Sequence, residues 1–506
     1  MHRDQPGHHD VPRELRPVDR LLHREVTDRS SDPRSRVPPW RRCEEGPGTR
    51  LGLLVLPLLQ LPVHRPSRES SMTRSAQVSR LVAALLAVAF LSLGLVACDQ
   101  TRADVPTQGP RDLARVAPEQ VGMSSDRLAR LDDAMQGLVD DGLLAGITTM
   151  ISRHGKIAHF GTFGHRDIEA GSEMTEDVIF RIYSMTKPIT GVALMILYEE
   201  GKFRLSDPVH KFIPEFEGLV VAREDGPNGQ PITEPADHAM TIRELMAHTA
   251  GLSYGIFSQS QVDTLYREAN ILDNDSTLKE MIDKLSKIPL RQQPGSMWHY
   301  SVAVDVQGYL VEVLSGQKFD EFLNERLFGP LGMNDTAFYV SEDRADRFAQ
   351  VYTHDADGNL MAQEGFGGSR SYFDPPNFLS GGGGLVSTTM DYMRFSQMLL
   401  NGGELDGVRI LAPSTVRLMH MNHLPRDVKE MSPGAGFGLD FGVVLDPVAH
   451  DGISKGEYWW GGAAGTWFWI DPKEDLVFVG MIQHFGPRRP DVRSLSRRLT
   501  YQAILE

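Results

Sequence analysis

Phe180-Arg181-Ile182-Tyr183-Ser184-Met185-Thr186-Lys187-Pro188 is the stretch on which the reading of this chain turns. Phe180–Tyr183 is a short apolar, strand-like run, and the residues after Pro188 follow a helical pattern. Proline cannot lie deep inside a helix, so the helix must begin close to Ser184. That sets the Ser184 hydroxyl at a helix N-terminus, with Lys187 one turn on and on the same face. A serine placed there has backbone N–H groups and the positive end of a dipole beside any oxyanion it creates. The dipole and burial are both expected to disfavour the Lys187 ammonium and move that side chain toward acting as a base. Taken alone, these residues fit equally well a helix cap followed by a solvated lysine.

Two other short motifs compete for the role of nucleophile. Ser276-Thr277-Leu278-Lys279 repeats the Ser-x-x-Lys spacing, but Thr277 and Glu280 form a capping box before a polar amphipathic stretch, so it reads as a surface helix start. Gly251-Leu252-Ser253-Tyr254-Gly255 has the Gly-x-Ser-x-Gly spacing, which needs a buried strand before the serine and a packed helix after it. Here Thr241–Ala247 has helical spacing and Ile256–Val262 is polar, so Ser253 is expected in a loop.

Working outward, Ser124 and Ser125 can cap a helix that places Leu128, Leu131, Met135 and Leu138 on one face. Ala145–Ser152 and Ile157–Phe163 read as strands joined by a hairpin at Arg153-His154-Gly155-Lys156. Helical patterns dominate from Ser184 to about residue 430, with Pro/Gly-rich breaks at 225–236 and 365–384. Near the C-terminus Phe437–Val444, Thr466–Ile470 and Leu476–Gln483 read as strands, the last two joined by a turn at 471–475. A closing helix is expected from about Asp491 to Leu505. Strands at both ends with helices between predict an α/β (α+β) fold: one antiparallel sheet built from both ends of the chain, flanked by helices, with a mainly helical domain inserted. The expected boundaries are 119–183 and 434–506 for the sheet domain and 184–433 for the helical one, with the active site between them.

The chain has 506 residues, 41% hydrophobic and 24% charged, with a formal net charge of −15. Length and composition suit a globular protein with a large core. The negative balance argues against nucleic acid as a partner. Only Cys43 and Cys98 are present, which excludes a disulfide framework and a thiolate zinc cage. No His-Glu-x-x-His or clustered ligand spacing occurs, and the glycines at 381–384 lack the Lys-Ser/Thr ending of a phosphate loop, so neither a metal nor a cofactor is expected.

Residues 1–71 are rich in Arg and Pro, have no Lys and show no periodicity, so they read as upstream mistranslation or as disordered chain. At Met72 a segment with Arg74 and Arg80 leads into the apolar run Leu81–Ala97, a secretory signal over 72–97. It ends in Leu95-Val96-Ala97-Cys98, which resembles a bacterial lipobox whose cysteine receives lipid. The expectation is an exported protein anchored to a bacterial membrane through Cys98, on the periplasmic or cell-surface side, with 98–118 as a tether.

Ser184-Met185-Thr186-Lys187-Pro188, Thr241–Leu252, Phe328-Gly329-Pro330-Leu331-Gly332-Met333 and Gly382–Thr388, in that order, resemble the serine β-lactamase-like and penicillin-binding hydrolases. The resemblance covers roughly residues 120–505. It is nearest to the class C β-lactamase branch, and within that to the family VIII carboxylesterases and related acyltransferases. It implies Ser184 as the acylated nucleophile, Lys187 as its partner base, and Tyr300 as the phenol that shuttles protons with the lysine. Trp460-Gly461-Gly462 matches the strand motif that lines the site opposite the serine, which implies an oxyanion hole from the backbone N–H groups of Ser184 and Ala463. His248 is expected to be a structural hydrogen-bonding residue.

Two positions depart from that pattern. Val302 stands where the family has an Asn that would bond the lysine and a substrate amide. Trp460 replaces a Lys or His that could face a substrate carboxylate. A site lacking partners for an amide and a carboxylate should bind β-lactams and D-alanyl peptides poorly, whereas a plain ester presents neither group. The expected activity is therefore cleavage of small carboxylic esters, or transfer of their acyl group, through a Ser184 acyl-enzyme. A β-lactamase or DD-peptidase is the alternative, and a non-catalytic binding protein on the same scaffold a third.

Overall fold

A computed structural model describes residues 113–363, 371–450 and 452–506. The expected signal segment, Cys98 and most of the tether lie outside the described residues.

Ser124 accepts from the Arg127 N–H and caps helix α1 (Ser125–Asp140), whose Leu128, Leu131 and Met135 are buried. Strands β1 (Gly146–Arg153) and β2 (Lys156–Asp167) form the expected hairpin, β3 (Ser172–Glu173) follows, and β4 (Phe180–Arg181) leads to Ser184. The β1–β2 turn is tight because His154 and Gly155 both take positive φ, 52° and 72°, as a two-residue primed turn requires. Helix α2 (Thr186–Glu199) starts just after the serine. Next come α3 (Ile242–Met246), α4 (Ala303–Ser315), the short strand β5 (Val386–Ser387), which pairs with β4, and α5 (Thr389–Leu400). Strands β6 (Ala435–Phe437), β7 (Gly442–Val444), β8 (Tyr458–Gly461), β9 (Trp467–Asp471) and β10 (Leu476–Met481) precede the last helix, α6 (Val492–Tyr501).

The main sheet runs β6-β7-β8-β9-β10-β1-β2-β3 and is antiparallel throughout. The two ends of the sequence meet at its centre, where β10 pairs with β1 in a register that sets Thr148 opposite Met481. Both faces are buried. Trp467, Trp469, Phe478, Ile147 and Ile151 pack toward α1 and α6, while Met150, Phe468, Ile470, Val477 and Val479 face the larger core on the other side.

Helix α5 lies on that second face, with Thr148 Oγ1 and Thr389 Oγ1 2.7 Å apart and Ser152 Oγ donating to Gln397 Oε1 at 2.6 Å. The helical stretch 184–433 thus shares its core with the sheet, because α5 fills the sheet's inner face.

Several expected boundaries differ. Phe437–Val444 is not one strand but the β6–β7 hairpin, turned at Gly438-Leu439-Asp440-Phe441 with Asp440 at φ 67°. The break at 225–236 carries a small hairpin of its own, Val220–Glu224 against Ile232–Pro235. Polar residues at 256–262 run into a helix at Gln261–Glu268, capped by Ser260. The closing helix ends at Tyr501 rather than Leu505. Strand β8 escaped periodicity because Tyr458, Trp459 and Trp460 are aromatic on both faces.

Candidate active site

Ser184 sits in a one-turn 3-10 segment, Tyr183–Met185, between β4 and α2. Tyr183 is held at φ 43°, a region that disfavours residues with a Cβ and is typical of strained functional turns. Three contacts over-determine the turn. The Ile182 N–H donates to the Leu385 carbonyl at 3.1 Å, the Leu385 N–H donates to Thr186 Oγ1 at 3.2 Å, and the Tyr392 hydroxyl donates to the Met185 carbonyl at 2.9 Å.

Lys187 is fully buried, and its Nζ has three oxygen neighbours: the Gly382 carbonyl at 2.6 Å, Ser184 Oγ at 3.3 Å and the Tyr254 hydroxyl at 3.3 Å. The Tyr300 ring lies beside it, 4.6 Å from Nζ to the ring centre, and the Tyr300 hydroxyl accepts from Trp460 Nε1 at 3.4 Å. An ammonium has three protons to donate and here finds three acceptors.

The expected direction of the lysine's proton affinity is therefore reversed. Burial does push it down, but Tyr254, Tyr300 and Asp305 outweigh burial and hold the Lys187 pKa above its ordinary value. The sequence reading had Tyr300 beside the lysine but lacked Tyr254 and Asp305, and the three come from two segments, near 254 and at 300–305. In the other direction, burial pushes the Tyr254 phenol up, against the pull of Lys187.

Asp305, on α4, organises the far side. Its Oδ1 accepts from the Gly382 N–H at 3.0 Å and from Ser380 Oγ at 2.5 Å, so it fixes the loop whose carbonyl meets Lys187. Gly382 must be glycine because a Cβ there would lie 2.5 Å from Asp305 Oδ2. The carboxyl is wholly buried, and desolvation raises its pKa. Asp440, also buried, accepts from Gln307 Nε2 at 3.0 Å, and Lys187 draws its raised pKa partly back down.

The strand expected to line the site does approach the serine turn. A Cβ on Gly462 would collide with the Ile182 carbonyl and with Thr466 Oγ1, so only glycine lets the strand end pack this closely. Ala463 is exposed there, and its carbonyl accepts from Arg489 Nη1 at 2.6 Å. Gly461 carries the Arg493 guanidinium over its Cα. Val302 is completely buried at the start of α4 and donates its N–H to the Ser253 carbonyl at 3.1 Å. Where the resemblance would place an Asn beside the lysine, Lys187 meets Tyr254 and Gly382 instead.

His248 is buried and uncharged, since burial and Lys187 drive its pKa far down. Its Nδ1 accepts from the Ser301 N–H at 3.3 Å, which leaves the proton on Nε2 among the rings of Tyr300, Trp298 and Phe437. Ser253 is wholly buried and donates to Asp263 rather than facing a cleft. Ser276 accepts from Lys284 at 2.8 Å just before a helix capped by Thr277.

The structure thus brings Ser184, Lys187, Tyr300 and Trp460 together. It adds Tyr254 and Asp305, which sequence reasoning missed. Tyr254 stood inside the Gly-x-Ser-x-Gly motif, where attention went to the serine; Asp305 had no motif at all.

Comparison with known proteins agrees with this fold. The sequence profile of the Beta-lactamase family matches residues 131–502. Protein Rv1367c of Mycobacterium tuberculosis is 38% identical over 362 residues, 69% of this chain and 88% of the relative. Esterase EstB of Burkholderia gladioli is 32% identical over 365 residues, 67% of this chain and 86% of that enzyme. The solved structure of EstCE1, described as a hydrolase with promiscuous acyltransferase activity, superposes with a TM-score of 0.64 at 27% identity, covering 74% of this chain and 99% of that one. A family profile spanning most of the chain means that this protein belongs to the beta-lactamase family of serine hydrolases.

Proposed function

We propose that the protein cleaves carboxylic esters, or passes their acyl group to another alcohol, through an acyl-enzyme on Ser184. The observation that carries this reading is the 3.3 Å approach of the fully buried Lys187 Nζ to Ser184 Oγ, beside a wall formed by Tyr300 and Trp460. The names of EstB and EstCE1 point the same way.

In the resting site Lys187 is an ammonium. The reacting form has one proton fewer: two N–H groups stay on the Gly382 carbonyl and a phenol, and the freed lone pair takes the Ser184 proton as Oγ bonds to the ester carbonyl carbon. The resulting oxyanion rests on the backbone N–H groups of Ser184 and Ala463. The same proton passes through Tyr300 to the leaving alcohol oxygen as the C–O bond breaks. Water or a second alcohol then attacks the acyl-enzyme, giving up its proton by the reverse route and freeing acid or new ester.

Labelling the full chain with an activated fluorophosphonate, followed by peptide mass mapping, tests this. Modification of Ser184 supports it; modification of Ser253, or none on folded protein, refutes it. A second part of the reading concerns location. The lipobox-like Leu95–Cys98 supports export and lipid attachment at Cys98, to be checked by loss of membrane association in Cys98→Ala.

A further inference from the structure

The loop between Ser253 and Ser260 is pinned hard at both ends, yet shows apolar side chains to solvent. Asp263 accepts from the hydroxyls of Ser253 and Ser258, from Ser260 Oγ at 2.6 Å and from the Ser260 N–H at 3.0 Å. Arg267 Nη1 adds a bond to the Gly255 carbonyl at 2.6 Å. So many donors on one buried carboxylate hold its pKa down at about 2, against the opposing effect of burial.

What this clasp presents is Tyr254, whose hydroxyl meets Lys187, then Ile256 and Phe257. Phe257 is 59% exposed and Ile256 41% exposed. The Phe257 ring is not adrift: it stands edge-on to Tyr254 at 5.3 Å and lies 5.6 Å from Tyr300, between ring centres. Tyr300 in turn stacks on Trp298 at 6.1 Å and touches Trp460 at 5.5 Å. A continuous aromatic surface therefore runs from the lysine pair out to a fixed, wet phenyl ring.

Resting on the Ser184 reading above, we propose that Phe257 is the specificity-determining residue of this site. Its substrates are esters bearing a large apolar group, a medium-length aliphatic chain or a ring, which covers Phe257 while the carbonyl reaches Ser184. A loose surface loop would show such a ring only by chance. One held by a buried carboxylate keeps it in place to be covered, and rigid aromatic area binds with little entropy lost.

The test uses the full chain and two ester series: p-nitrophenyl esters of increasing acyl length, and acetates of increasingly large alcohols. The wild type should gain about fourfold in kcat/KM for each methylene that reaches the ring, the factor set by burying one CH2. In Phe257→Ser this gain should collapse in at least one series by about tenfold overall, and Phe257→Trp should restore it. Circular dichroism confirms folding, which an exposed side chain should not disturb. Equal rates along both series, or a length preference untouched by Phe257→Ser, overturn the proposal while leaving the Ser184 reading intact. Failure to turn over any ester, with Ser184 unlabelled, instead refutes the reading on which it rests.

Discussion

Replacing Gly382 by Ala probes the proton relay without touching any reacting atom. The new methyl would stand 2.5 Å from Asp305 Oδ2 and 3.0 Å from Asp305 Cγ, where ordinary contact begins near 3.4 Å. Asp305 is fully buried and tied to Ser380, so the loop must give way by about 1 Å, and it carries the Gly382 carbonyl with it. That carbonyl receives the shortest of the Lys187 hydrogen bonds, 2.6 Å. Overpacking of this kind costs about 1–3 kcal/mol of stability. A misplacement of about 1 Å in a catalytic group lowers the rate about 100-fold, or about 2.7 kcal/mol. Ester hydrolysis measured as kcat/KM beside a thermal melt separates the two effects. Gly137→Ala is the control: its methyl meets nothing, it lies within α1, and it should stabilise by about 0.5–1 kcal/mol with unchanged rate. If Gly382→Ala stays folded and keeps its rate within twofold, the Gly382 carbonyl does not position Lys187 and the account of the relay is wrong.

Other outcomes follow from the same geometry. Ser184→Ala and Lys187→Ala should each lower kcat by orders of magnitude and the double variant by little more, because the pair works as a unit; additive losses in steady-state kinetics would contradict this. Tyr254→Phe should lower kcat/KM by about tenfold by removing one neighbour of Lys187, and should shift the pH–rate profile, which a purely structural phenol would not do. Because Tyr254, Tyr300 and Asp305 hold Lys187 protonated, kcat/KM should climb with pH above neutrality; a profile flat from pH 6 to 9 argues against the lysine as base. His484 is buried with neither ring nitrogen bonded among the described residues, and burial lowers its pKa to about 4. The unfolded chain takes that proton first, so stability is full above about pH 6.5 and falls by up to about 3 kcal/mol as pH drops toward 4. Denaturant titrations should show a slope that is shallower in His484→Leu than in wild type by this amount, since His159, His248 and His299, whose pKa values burial also lowers, act in both.

The parts of this protein that were legible in the sequence are those encoded locally. The Ser124 cap, the His154-Gly155 turn and the Thr277 capping box each depend on three or four neighbouring residues, and each is where local chemistry puts it. The spacing of Ser184 and Lys187, one helical turn apart, was legible for the same reason, although only the resemblance chose between a reacting pair and a helix cap. Tyr254 and Asp305 were not, because their roles exist only once the segments near 187, 254, 305 and 382 have converged. The Lys187 charge followed: burial could be foreseen from its setting and Tyr300 from the resemblance, but not Tyr254 and Asp305, which with Tyr300 outweigh burial. Strand β8 was hidden from periodicity by its own aromatic richness, since Tyr458, Trp459 and Trp460 leave no alternation of polar and apolar residues by which strands are recognised.

The meeting of β1 with β10 has a consequence for how this molecule is made. The Ser124 N–H donates to the Ala503 carbonyl at 2.8 Å, and Met123 bridges Ile504, so the beginning and end of the fold are held side by side. During synthesis β1 and β2 exist as a hairpin with one edge open until residues 476–481 emerge, more than three hundred residues later. Loop closure over such a span is slow and leaves an apolar strand edge exposed meanwhile. The same adjacency makes the order of synthesis dispensable to the finished structure. A permuted gene that joins residue 506 to residue 113 by a short linker, and opens the chain in the exposed turn at Pro227–Gly229, would translate β10 and β1 in succession. The pairing with the widest separation in the natural chain would then join two strands with only α6, the linker and α1 between them.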